Sequence, residues 1–229
     1  MNISKEKVVR MIDISAVRAD SCQLDVENIV QAAIEHRFLA VFTLPSFTQF
    51  AHTLLASNPG ILLGGTVGFP SGGSSTAAKA FEADELLKNG CHELDMVINV
   101  GKLKSNLYQD VENDIKTIVR IAGNAPVKVI LEVSLLTDKE IQDGSKIIYD
   151  SGASFVKTGT GWMGPTTFAH IALIKKAVGD KIPLKVAGGV RNLSTLTKMV
   201  EMGVSRFGIG YVAALNIINE FNPMDKSDL

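Results

Sequence analysis

Cysteine is nearly absent: Cys22 and Cys91 stand far apart with no Cys-x-x-Cys spacing. Neither a disulfide framework nor a cysteine zinc site is therefore expected. Histidine is equally sparse, and His36, His52, His92 and His170 fall within helical segments or ahead of a strand. No set of metal ligands ends a strand, so neither a metal nor a cofactor is expected. An excess of charge is missing too, for the formal net charge is −1 and no basic run occurs. Nucleic acid and anionic membrane are thereby disfavoured as partners. No stretch reaches the roughly 18 apolar residues that a membrane span needs. Met1 to Arg10 is polar and lacks an apolar signal region, so a cytoplasmic location is expected. There is no linker, no composition shift and no repeat at a fixed period, and residues 1–229 are read as one domain.

What the chain does contain is alternation. Strands are expected at Met11–Ser15, Ala40–Leu44, Ile61–Phe69, Glu93–Val100, Val127–Leu136, 155–159, 184–188 and Arg206–Gly210. Helical spacing separates them at Asp25–Arg37, Ser46–Ala56, Ser74–Asn89, Leu107–Ala122, Thr167–Val178, Asn192–Glu201 and Val212–Phe221. Gly90 is placed as a C-cap, Thr137-Asp138-Lys139-Glu140 resembles a capping box, and the charged tail Asp225 to Leu229 is expected to fray. Eight strand–helix units imply a parallel sheet covered by helices, and at this length a (β/α)8 TIM barrel of the α/β class. Active sites of such barrels lie at the C-terminal ends of the strands.

Two strands end unusually. Phe155-Val156-Lys157 opens onto Thr158-Gly159-Thr160-Gly161, and Leu184-Lys185-Val186-Ala187 onto Gly188-Gly189. Lysine is rarely buried unless paired, and these two occur at equivalent depth on neighbouring strands. A neutral lysine amine forms a Schiff base with a carbonyl, and a nearby cation or desolvation lowers its pKa towards neutrality. Asp95, set inside the apolar run Glu93–Val100, shares a face with Val97 and Asn99 and is placed to move protons. Glu132 adds a second inward carboxylate. The competing reading is a buried ion-pair network that holds the barrel closed. Gly188, Gly189 and Arg191 after strand seven, and Gly208 and Gly210 at strand eight, fit the phosphate site common in such barrels. Thr158, Thr160 and Gly161 join them as substrate-binding candidates.

Leu94-Asp95-Met96-Val97-Ile98-Asn99-Val100-Gly101, Phe155-Val156-Lys157-Thr158 and Lys185-Val186-Ala187-Gly188-Gly189-Val190-Arg191 resemble the deoxyribose-phosphate aldolase family. Thr66-Val67-Gly68-Phe69-Pro70 with Thr76, Lys79, Glu82 and Ala83 extends the resemblance. It implies a class I aldolase that cleaves 2-deoxyribose 5-phosphate to glyceraldehyde 3-phosphate and acetaldehyde. Lys157 would be the Schiff-base lysine, with Asp95 and Lys185 as the proton-relay pair. The family's Lys-Thr-Ser-Thr-Gly reads Lys157-Thr158-Gly159-Thr160-Gly161 here, followed by Trp162, and its Glu-Thr on strand five reads Glu132-Val133. Phe42 and Leu44 replace a cysteine and a polar residue, and Gly210-Tyr211 replaces the Ser-Ser that helps to bind phosphate. The expected partner is thus a small sugar phosphate or aldehyde, and a homo-oligomer is left open. Three alternatives stand beside this reading: a relative with the same imine chemistry on another sugar, a non-covalent isomerase, and a sugar-phosphate-binding barrel.

Overall fold

The computed structural model describes residues 3–221, so the expected charged tail lies outside the described residues. A short helix α1 (Lys5–Val9) precedes β1 (Ile12–Ala16), α2 (Gln23–His36), β2 (Ala40–Thr43) and α3 (Thr48–Leu55). Then come β3 (Leu62–Val67), α4 (Thr76–Lys88), β4 (Glu93–Val97), a short α5 (Val100–Lys104) and α6 (Tyr108–Ala122). The second half runs β5 (Val127–Ile130), α7 (Asp138–Asp150), β6 (Phe155–Lys157), α8 (Phe168–Val178) and β7 (Leu184–Ala187). It ends with α9 (Leu193–Glu201), β8 (Val204–Gly210) and α10 (Tyr211–Asn219). All eight strands pair in parallel and in sequence order, and β8 closes on β1. This is the expected (β/α)8 barrel. Among the described residues, no helix is long and apolar enough to cross a membrane.

Short, nearly continuous apolar strands fit a sheet buried on both faces. Every residue of β2, β4, β5 and β7 is buried. The helices bury one stripe each; α6 turns Val111, Ile115 and Ile118 to the barrel, the i, i+4, i+7 spacing of an amphipathic helix. Local polar chemistry starts the helices. Thr137 and Glu140 form a reciprocal capping box on α7, and Ser75 accepts from the Ala78 N–H at the start of α4.

Several strands stop earlier than the sequence suggests, and the stops of β4 and β5 fall shortest of expectation. The apolar run of β4 continues through Ile98, but the Asn99 side chain accepts from the Lys102 N–H at 3.0 Å and starts α5. Asn99 thus caps a helix instead of sharing the strand face of Asp95. The β5 run ends at Ile130 because Glu132 takes a left-handed conformation (φ 58°) and a 3₁₀ turn follows at Val133–Leu135. Backbone bonds from the Leu131 N–H to the Lys157 carbonyl and from the Val133 N–H to the Thr158 carbonyl satisfy the segment where strand pairing ends.

Candidate active site

The barrel interior is charged. Asp13 on β1, Glu93 and Asp95 on β4, Lys128 on β5, Lys157 on β6, Lys185 on β7 and Arg206 on β8 are all buried. Each sits in an apolar strand whose alternation turns it inward. The register sets Lys157 directly beside Lys185. Both ammonium groups converge on one oxygen: Asp95 Oδ2 lies 2.8 Å from Lys157 Nζ and 2.6 Å from Lys185 Nζ. Lys185 Nζ also reaches Asp13 Oδ2 at 2.6 Å. Towards the start of β4, Glu93 Oε1 takes Arg206 Nη2 at 2.7 Å and Lys128 Nζ at 2.8 Å. Arg206 also donates to Asp13 Oδ1, and Lys128 Nζ lies 3.5 Å from Asp95 Oδ1.

The carboxylates of this cluster number one fewer than its cations. With Asp13, Glu93 and Asp95 ionised, one basic group is left without its own counter-ion in a desolvated space, and neutralising it removes that cost. The groups respond unequally. Burial drives the Lys157 pKa down; the Asp95 carboxylate pulls it back, the Lys185 ammonium lowers it again, and it settles at about 8. Burial also opposes charge on Lys185, but Asp13, Asp95 and Glu93 outweigh it and hold the group above the ordinary lysine value. For Asp95, burial raises the pKa, yet Lys157, Lys185 and Lys128 together hold it well below the usual carboxylate range. One lysine is thus poised to lose its proton beside another that keeps it, with an ionised carboxylate between them.

Above this cluster lies a small chamber of about 30 Å³, lined by Lys157, Lys185, Asp95, Phe42, Thr66 and Phe69 among others. That is room for about one or two waters. It adjoins an open cleft of about 820 Å³, and Ser15, Val17, Thr160 and Gly208 line both spaces. Of the sequence-based binding candidates, Thr160, Gly161, Gly188, Gly189, Arg191, Gly208 and Gly210 line the outer cleft. Gly188 and Gly189 (φ 89° and 86°) make a turn that side-chain-bearing residues rarely adopt. Gly210 precedes α10 with no side-chain cap, and Tyr211 follows it on the cleft wall. Arg191 is exposed and has no ion-pair partner among the described residues. Thr158 does not line the cleft: its buried hydroxyl is spent on the Thr166 hydroxyl at 2.7 Å and the Ala187 carbonyl at 3.3 Å. Glu132 forms no ion pair with these lysines among the described residues; its carboxylate accepts from the Thr160 N–H at 3.2 Å and from the Thr160 hydroxyl.

The model of the DeoC/LacD family aldolases matches residues 8–220. The chain belongs to this family. Deoxyribose-phosphate aldolase of Rhizobium meliloti is 42% identical over 220 residues, covering 96% of this chain and 89% of the relative. That of Coprothermobacter proteolyticus is 41% identical over 212 residues, covering 92% and 95%. Among solved structures, the tetrameric deoxyribose phosphate aldolase of Aeropyrum pernix superposes with a TM-score of 0.87 at 26% identity, covering 96% of this chain and 93% of that one. The chain is an aldolase, a carbon–carbon lyase of class I.

Within this aldolase, four members of the charged cluster escape the sequence reading: Asp13, Glu93, Lys128 and Arg206. Asp13, Lys128 and Arg206 are each the single charged residue of a short strand, and Glu93 stands two positions before Asp95 on the same face of β4. A second buried pair supports the loop that leads from β3. Lys79 Nζ reaches Asp114 Oδ2 at 2.6 Å and the Val97 carbonyl at 2.9 Å, while Thr76 donates to Asp114 Oδ1 at 2.8 Å. Glu82 accepts from the Gly68 N–H at 2.6 Å. The motif residues Thr76, Lys79 and Glu82 therefore tie α4 to α6 and to the β3 and β4 strand ends. Trp162 reaches across the barrel mouth, where its indole N–H donates to the Val17 carbonyl at 3.1 Å and its ring meets Phe69 edge to face.

Proposed function

We propose that the enzyme cleaves 2-deoxy-D-ribose 5-phosphate into D-glyceraldehyde 3-phosphate and acetaldehyde through an imine on Lys157. The observation that carries this reading is the shared Asp95 Oδ2, with Lys157 Nζ at 2.8 Å and Lys185 Nζ at 2.6 Å. The neutral Lys157 amine adds to the C1 aldehyde of the open-chain sugar, and loss of water gives the imine. Removal of the C3 hydroxyl proton breaks the C2–C3 bond, releases glyceraldehyde 3-phosphate and leaves the two-carbon enamine. Protonation at C2 and hydrolysis then free acetaldehyde and return the lysine. Asp95, with Lys185 and a water, moves these protons. Lys185, which holds its proton more tightly than Lys157, favours the neutral form of Lys157 while it is charged. The relatives named deoxyribose-phosphate aldolase support this substrate.

A second reading concerns the substrate tail, and Gly210-Tyr211 favours it. A phosphate in the outer cleft would meet the N–H groups near Gly189 and Gly210 and the start of α10. Two serine hydroxyls of the family pattern are absent there, and each hydrogen bond to a charged group contributes about 1.5–3 kcal/mol. The proposal therefore includes weaker discrimination between phosphorylated and free deoxyribose. The test follows acetaldehyde release from both sugars. Replacing Gly210 and Tyr211 by serine should lower KM for the phosphorylated sugar more than for the free one. Equal changes on both, or a wild-type enzyme that strictly demands phosphate, would contradict it. No acetaldehyde from either sugar would contradict the cleavage reaction itself.

Self-association belongs to the same proposal, supported by the tetramer of the Aeropyrum pernix relative. A cytoplasmic location does too, in keeping with two free cysteines, Cys22 exposed and Cys91 buried.

A further inference from the structure

Strand β2 contributes no charge to the cluster, yet Phe42 meets it directly. The ring is buried and its centroid stands 4.0 Å from Lys185 Nζ and 5.2 Å from Lys128 Nζ. An ammonium has three N–H donors. On Lys185, Asp95 Oδ2 and Asp13 Oδ2 lie at 2.6 Å each, and the Phe42 ring face covers a further side. An aromatic face attracts a cation through its quadrupole, and more strongly where water is excluded.

The neighbouring strand is adapted to this ring. Gly64 on β3 is registered opposite Phe42, and a Cβ added there would lie 2.1–2.6 Å from three ring carbons. Any side chain at position 64 would displace the ring. Glycine inside a strand weakens it and commonly marks a close approach; here the approach is that of the Phe42 ring. The remaining charged groups around Lys185 are Asp13 on β1, Glu93 and Asp95 on β4, Lys128 on β5, Lys157 on β6 and Arg206 on β8. Two lysines therefore compete for one carboxylate oxygen, and an aromatic face stands against only one of them.

We propose that Phe42 is a positioning residue that keeps Lys185 protonated, so that of the two lysines flanking Asp95 only Lys157 becomes the nucleophile. The inference rests on the assignment of Lys157 and Lys185 made above. Phe42 touches no reacting atom; it acts through Lys185. Burial by itself disfavours the charged form of Lys185, and the ring face works with the carboxylates against that tendency.

The experiment replaces Phe42 in the full chain by phenylalanines carrying one, two and three ring fluorines. These keep the shape of the ring and weaken its negative face stepwise. Each protein is incubated at pH 9 with acetaldehyde and borohydride, and its peptides are mapped by mass. The amine nitrogen adds to the carbonyl carbon and water leaves. Borohydride then delivers hydride to the C=N carbon and solvent supplies the proton on nitrogen, giving N-ethyl-lysine. The wild type should carry the adduct on Lys157. The share on Lys185 should rise with each fluorine, reaching about 2- to 10-fold above wild type with three, the range expected for a weakened contact between a cation and a ring. A ring that only fills space predicts no trend. An adduct on Lys157 with an unmoved Lys185 share across the series would overturn this inference alone. Absence of any Lys157 adduct in the wild type would overturn both the inference and the assignment beneath it.

Discussion

At the scale of single residues, the chemistry depends on unequal treatment of similar groups. Lys157 and Lys185 face the same carboxylate oxygen, but Lys157 has Asp95 alone at ion-pair distance while Lys185 also has Asp13. Lys157, with a pKa near 8, is largely cationic below that pH and neutral above it. Its rate of imine formation should accordingly rise about tenfold per pH unit below pH 8 and level off above it. Replacement of Lys185 by Met removes a cation that lowers the Lys157 pKa and frees Asp95 to hold the Lys157 proton. The whole profile should then move to higher pH; an unchanged or lower midpoint would contradict the electrostatic assignment. Asp95→Asn keeps the shape and removes the charge. Its turnover should fall by roughly 10²-fold or more, the usual scale of general acid–base catalysis, while circular dichroism shows a folded barrel. A variant that instead unfolds would favour a purely structural ion-pair network.

At the scale of elements, the loop that leaves β3 is held by a buried pair outside the reaction site. Lys79 on α4 and Asp114 on α6 are both buried, and each is the other's charge partner. Lys79→Met would leave Asp114 with only the Thr76 hydroxyl, and removal of one partner of a buried pair costs about 3–5 kcal/mol. Urea unfolding should show that loss; an unshifted midpoint would mean that water reaches Asp114. Element order was legible in the sequence because apolar runs and caps repeat strand, helix, strand with little ambiguity. Where strands end was less so. Apolar residues continue past Val97 and Ile130, and hydropathy does not register that Asn99 caps a helix or that Glu132 adopts a left-handed backbone. The meeting of Lys157, Lys185 and Asp95 was legible because each interrupts an apolar strand. Phe42 against Lys185 was not, since an aromatic residue in a strand looks the same whether it meets a leucine or an ammonium. Thr158 misled for a related reason: a hydroxyl next to the lysine turns out to be spent on Thr166 and Ala187.

At the scale of the whole molecule, structure and function share one charged core. Arg206, Glu93 and Lys128 span β8, β4 and β5 across the barrel interior, and Asp13 joins that set to Lys185. The network reading and the catalytic reading therefore describe two ends of one cluster, whose excess cation makes a neutral lysine accessible inside a closed barrel. The outer cleft, lined by Arg191, Gly210 and Tyr211, is a separate region that can change with the substrate while the core stays fixed. All of the proposed chemistry passes through a covalent imine on Lys157. Borohydride reduction in the presence of 2-deoxyribose 5-phosphate or acetaldehyde, followed by peptide mapping, tests it most directly. A reduced adduct should form predominantly on Lys157 in the wild type, with only a small share on Lys185, and active-site labelling should fall sharply in Lys157→Ala; an active enzyme with no adduct on Lys157 would contradict this.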